Sequence, residues 1–161
     1  QMCIRDRELF AAKTHILLKK KNKNIITIII PRHINRVKQI IAEINELGLN
    51  VVSRSSKKFK LKDIDIFIVD TFGETKKFYK FATTVFLGKS IVKGGGQNPL
   101  EPARFGAKIL HGPDVNNFKD VYKYLRKLKI SSVVNSPQKC ANSIIFKKNM
   151  KKVQKLSLIH I

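Results

Sequence analysis

"NIITIIIPRHINRVKQIIAEINELG", residues 24–48, decides the fold. Its first part, "NIITIIIP", is an unbroken β-branched run closed by proline, the pattern of a strand buried on both faces. Its second part places Ile34, Val37, Ile40, Ile41, Ile44 and Leu47 at three-and-four spacing, and Gly48 stops it. That is an amphipathic helix ended by a glycine C-cap. A strand buried on both faces and followed at once by a helix is the start of a parallel α/β sheet.

The rest of the chain repeats the alternation. Strands are expected over 50–55, 63–70, 83–88, 107–113 and 131–135, and helices over 74–82, 99–106, 116–128 and 136–149, the last with Ser136 as N-cap and Pro137 in the first helical position. The fold class is therefore α/β: a Rossmann-like parallel sheet with helices on both faces, connected by right-handed crossovers. No internal repeat is visible. One domain is expected over 8–155. Residues 1–7 ("QMCIRDR") and 156–161 ("LSLIHI") stand outside the periodic pattern and read as non-native ends.

Composition bounds the function. The longest apolar run, "IITIII", is far short of the roughly 20 residues of a membrane-spanning helix. Cys3 and Cys140 lie far apart without CxxC spacing, so neither a disulfide framework nor a metal site is expected, and a reducing setting follows. A formal charge of +22 and a pI of 10.3 imply attraction to polyanions. The charge is mostly lysine, with arginine scarce and aromatics rarely interleaved, which argues against a dedicated nucleic-acid reader.

In a parallel sheet, ligands gather at the carboxyl ends of the strands. Four loops belong there: "PRH" (31–33), "DTFGET" (70–75), "GKSIVKGGGQNPLEP" (88–102) and "HGPDVNNF" (111–118). Three glycines ahead of a proline-started helix suit the close approach of an anion such as a nucleotide phosphate, or else make a flexible loop without a ligand. Neither a Walker lysine nor a GxGxxG in dinucleotide context is present. Glu101 has two readings. It returns to the backbone of Asn98 as a capping box, or it accepts hydrogen bonds from the two hydroxyls of a ribose. Pro102 disfavours the first, because with Asn98 as N-cap it would remove an intrahelical bond. His111 is a candidate base without an evident partner, and Ser90 a candidate phosphate donor.

Together, "IIIPRHINR", "VDTFGET", "TVFLGKSIVKGGGQNPLEPARFGAKILHGP" and "NNF" resemble the Kdo transferases, GT-B glycosyltransferases that move 3-deoxy-D-manno-octulosonic acid from CMP-Kdo to a lipid A precursor. The resemblance covers roughly residues 24–150 and implies the C-terminal, CMP-binding half of that fold. It implies that Pro31, Arg32, Phe72 and Gly73 frame the cytosine. It puts Ser90, Gly95, Gly96 and Asn98 near phosphate and sugar, and Glu101 on the ribose hydroxyls, with no cofactor or metal. The implied partners are CMP-Kdo, a lipid A precursor and an anionic membrane surface, with no nucleic acid, at the cytoplasmic face of the inner membrane. The catalytic carboxylate is expected in an N-terminal acceptor domain that these residues do not include, leaving no catalytic residue here. Two positions depart from the family: Gln97 stands where it usually has histidine, and Phe72 where it has methionine.

Overall fold

The computed structural model describes residues 5–56, 61–144 and 155–160. Among the described residues, seven strands form one parallel sheet: β1 (Ile25–Ile30), β2 (Val51–Ser53), β3 (Ile66–Ile68), β4 (Thr84–Leu87), β5 (Lys108–His111), β6 (Ser131–Val133) and β7 (Lys155–His160), in the order β2-β3-β1-β7-β4-β5-β6. Six helices connect or flank them: α1 (Arg5–Lys21), α2 (Val37–Asn45), α3 (Thr75–Tyr79), α4 (Leu100–Arg104), α5 (Lys119–Lys127) and α6 (Pro137–Ser143). Among the described residues, no helix is long and apolar enough to cross a membrane.

Two apolar clusters show why the strands read as continuous hydrophobic runs. Ile29, Phe86 and Leu110 face α1, α2 and α6 with Phe10, Val37, Ile40, Ile44 and Cys140. Their neighbours Ile28, Ile30, Val85, Leu87 and Ile109 face the other way, against Tyr79 and Tyr122. Successive residues of each strand thus enter opposite cores, as the two-residue period of an extended chain requires. Burial pushes the Cys140 thiol up to about 12, which makes it an inert filler. Cys3 lies outside the described residues.

The expected alternation is present, with shorter elements. The helix after β1 begins as a 3-10 turn at Ile34–Arg36, and Gly48 closes it with φ 75°. Ser136 caps α6, its Oγ accepting from the Lys139 amide at 3.2 Å. The expected extension of that helix over 145–149 lies outside the described residues. Two elements have no counterpart in the sequence reading. α1 is hidden because polar side chains occupy its inner face. The Thr14 hydroxyl donates to the Phe10 carbonyl at 2.8 Å, and His15 Nδ1 is hydrogen-bonded to Thr27 Oγ1 at 2.9 Å. The second is β7. Residues set apart from the periodic pattern pair in parallel with all six residues of β1 and, on the other side, with Val85–Leu87 of β4.

Candidate functional site

Because every strand runs the same way, the loops after β1, β3, β4 and β5 emerge at one edge. The chain turns outward in opposite directions from the centre of the sheet, to β3 and β2 on one side and to β5 and β6 on the other. Such a switch point leaves a crevice between the diverging loops.

One wall comes from β1 and β3. Pro31 is buried at the end of β1, and Arg32 and His33 are exposed beyond it. In "DTFGET" the carboxylates are used locally. Asp70 accepts from the Ser55 amide at 2.9 Å and from its hydroxyl. Glu74 accepts from the Thr71 hydroxyl and pairs with Arg54 at 3.4 Å and Lys77 at 3.3 Å. The Thr71 hydrogen bond first, then Lys77, holds the Glu74 carboxyl below the ordinary carboxylate range. That leaves Phe72, 85% exposed, and Gly73, at φ 78°, standing clear of the protein. An aromatic ring so exposed at a sheet edge is a ready stacking surface.

Near Arg32 lie three residues that the sequence reading did not single out, Arg7, Glu8 and Arg36. Arg36 Nη1 lies 3.5 Å from Glu8 Oε1, and Arg7 and Arg32 sit within electrostatic reach of each other. Burial raises the Glu8 carboxyl, and its Oε2 and Arg7 Nε are buried without a hydrogen-bond partner. Only the sidedness of α1 would have exposed this cluster, and Thr14 and His15 conceal it.

The other wall is two loops stitched together. Ser90 is fully buried: its hydroxyl donates to the Leu87 carbonyl and accepts from the Gly112 amide, both at 2.6 Å. With its one proton committed, that hydroxyl is a fastener between the β4 and β5 loops, not a free donor to phosphate. Gly112 fits only because it lacks a side chain, since a Cβ there would meet the Ser90 backbone. Gly95 and Gly96 both take positive φ, 73° and 77°, and a Cβ on Gly95 would collide with the Asn117 side chain. Asp114, also unremarked in the sequence, accepts from the amides of Gly94 at 2.8 Å and Gly95 at 3.1 Å. Gln97 accepts from the Lys89 amide through Oε1 at 3.4 Å, and its carbonyl accepts from Tyr122 at 2.9 Å.

The two readings of Glu101 separate in the structure. Helix α4 starts late, at Leu100, with Pro99 as its N-cap residue and no side-chain cap. Pro102 then falls where an amide would lack a helical partner in any case, so it costs no hydrogen bond. Asn98 Oδ1 accepts from the Leu100 amide at 3.0 Å. The Glu101 carboxylate makes no capping-box bond; it is 45% exposed and lies 4.0 Å from Lys76 Nζ. His111 is fully buried, and its Nδ1 donates to the Gly112 carbonyl at 2.7 Å, so Nε2 is left as a buried acceptor with no partner. Burial lowers its pKa, and its ring packs against that of Tyr122 with centroids 4.3 Å apart. Among the described residues no cluster of three or more side chains is arranged to hold a metal ion.

The fold matches the C-terminal CMP-Kdo binding domain of WaaA from Acinetobacter baumannii with a TM-score of 0.67 at 20% identity, covering 85% of this chain and 86% of that one. The class is thus a parallel α/β domain with the fold of that C-terminal domain. In sequence, the chain is 33% identical over 127 residues to the 3-deoxy-D-manno-octulosonic acid transferase of Rickettsia bellii, 79% of this chain and 30% of that protein. It is 40% identical over 106 residues to the enzyme of the same name from Rickettsia felis, 66% of this chain and 23% of that protein. By sequence and fold the chain belongs with the 3-deoxy-D-manno-octulosonic acid transferases, and it spans less than a third of the length of these relatives. No family model matches the sequence.

Proposed function

We propose that this chain is the donor-binding part of an enzyme that transfers Kdo from CMP-Kdo to a lipid A precursor. What supports the reading is a pair of groups carried by loops at the same sheet edge: the Phe72 ring, 85% exposed, and the Glu101 carboxylate, which makes no capping-box bond and has only the long Lys76 pair. The ring offers a face to a pyrimidine, framed by Pro31, Arg32 and Gly73. The carboxylate accepts from the two ribose hydroxyls, whose spacing matches its oxygens. Gly95, Gly96 and Asn98 border the phosphate and sugar. The acceptor, and the base that deprotonates it, belong to a part of the enzyme outside these residues.

Binding is testable directly. CMP should raise the melting temperature of the protein, and UMP and AMP should raise it less. Each lost stacking or charge-assisted contact is worth about 1.5–3 kcal/mol. Glu101→Gln and Phe72→Ala should therefore each weaken CMP by about tenfold or more. A folded sample whose melting ignores CMP would refute the reading.

The excess of lysine gives the reading its setting. A charge of +22 suits a surface held against anionic headgroups at the cytoplasmic face of the inner membrane, where phosphorylated lipid acceptors lie. Sedimentation with phosphatidylglycerol vesicles should be strong at low salt and largely lost near 0.5 M, where the screening length falls to roughly 4 Å. Equal sedimentation with neutral vesicles would remove the electrostatic account.

A further inference from the structure

The glycine loop is occupied by the protein's own anion. Asp114 Oδ2 accepts from Gly94 and Gly95 at 2.8 and 3.1 Å, and its Oδ1 accepts from the Asn116 amide at 3.4 Å. The Asp114 amide donates to the Ser90 carbonyl at 2.9 Å, which ties the residue to the β4 loop from the other side. The Asn117 amide then donates to the Gly95 carbonyl at 3.0 Å. Two amides converging on one oxygen, with glycine at positive φ, make the backbone concavity that elsewhere receives a phosphate. Here a carboxylate fills it. The next two amides, of Gly96 and Gln97, have no hydrogen-bond partner among the described residues.

We propose that Asp114 is a positioning residue of the donor site: its carboxylate holds the amides of Gly94 and Gly95, building the glycine loop before any nucleotide arrives and leaving the phosphate the amides of Gly96 and Gln97. The loop consequently has no need of ligand to take its bound shape. The Gly94 amide first, then that of Gly95, holds the Asp114 carboxyl below its ordinary range, so it is ionised at neutral pH. The site of the phosphate rests on the donor reading given above; the ordering of the loop does not.

Two variants of the full chain separate geometry from charge. Asp114→Asn keeps an acceptor oxygen, and Asp114→Ala removes it. Amide hydrogen exchange, read by NMR, should be about tenfold faster at Gly94 and Gly95 in Asp114→Ala, with Val85 and Ile109 unchanged, and CMP should bind about tenfold more weakly. Asp114→Asn should stay within about threefold of wild type in both measurements. Wild-type exchange and affinity in Asp114→Ala would overturn the proposal, and so would an asparagine variant as impaired as alanine. If the wild-type protein fails to bind CMP, the donor reading falls, and the exchange rates still decide whether Asp114 builds the loop.

Discussion

Replacing Gly112 with alanine should cost about 3 kcal/mol of stability and abolish the response to CMP. The added Cβ would lie 2.6 Å from Ile91 N and closer still to the Ser90 carbonyl oxygen. Both are backbone atoms at the turn where the β4 loop crosses the β5 loop, so no side chain can swing away. The clash also pushes the Gly112 amide from Ser90 Oγ, which in turn holds the Leu87 carbonyl. Gly106→Ala is the contrast. It has a positive φ of 78° but nothing within 4 Å of a new Cβ, so only the left-handed conformation is penalised, at about 1 kcal/mol. Urea midpoints of the two variants give the comparison, and a Gly112→Ala midpoint equal to that of Gly106→Ala would contradict it.

The second large effect is expected at the opposite edge. Asp65 is buried and binds α1, β1 and the approach to β2 at once. Its carboxylate accepts from Lys19 and from the Asn50 amide at 2.9 Å, and His15 Nε2 lies 3.5 Å away. Asp65→Ala removes a charge-assisted hydrogen bond to a half-exposed Lys19 and leaves the Asn50 amide without this acceptor, and should destabilise the fold by about 2 kcal/mol. Burial pushes the Asp65 carboxyl up, but Lys19 and the Asn50 amide outweigh it and hold the pKa below the ordinary value. Its contribution is present above the unfolded pKa and lost only as pH falls through the lower folded one.

His15 acts at milder acidity. Burial lowers its pKa despite Asp65, and His111 is lowered likewise. Between the lowered folded pKa and about 6.5 the unfolded chain binds more protons, so stability should fall as pH drops, by up to about 1.4 kcal/mol per unit for each histidine. The raised Glu8 works in the other direction at lower pH. Urea midpoints measured from pH 7 to pH 5 should slope less in His15→Gln, and an unchanged slope would show that other groups carry it.

What the sequence disclosed depends on how far each residue's job is local. The β-branched run of β1 and the Ser136 cap are legible because neighbours in the chain determine them. The loop glycines were legible as places of close approach, but not what approaches them: Gly95 makes room for Asn117 and Gly112 for Ser90, residues 22 positions away in each case. Ser90 looked like a ligand donor because a hydroxyl in a glycine-rich loop has no local partner, and its two partners come from the ends of β4 and β5. Asp114 was silent for the converse reason, since an aspartate after proline reads as an ordinary turn residue. For Glu101 the sequence posed two alternatives, and the late start of α4 removed the capping box from them.

The two walls of the crevice differ in stiffness. The β4 and β5 loops are joined through Ser90, Gly112, Asp114, Asn117 and Tyr122 and must move as one plate. Between this plate and the segment that follows Phe72, the described residues show the long Lys76–Glu101 pair and the Tyr79–Phe105 ring contact at 6.1 Å. On the donor reading proposed above, the ordering cost of binding a nucleotide would fall mainly on the wall carrying Phe72, so tightness of base recognition is where affinity would be traded for speed of release.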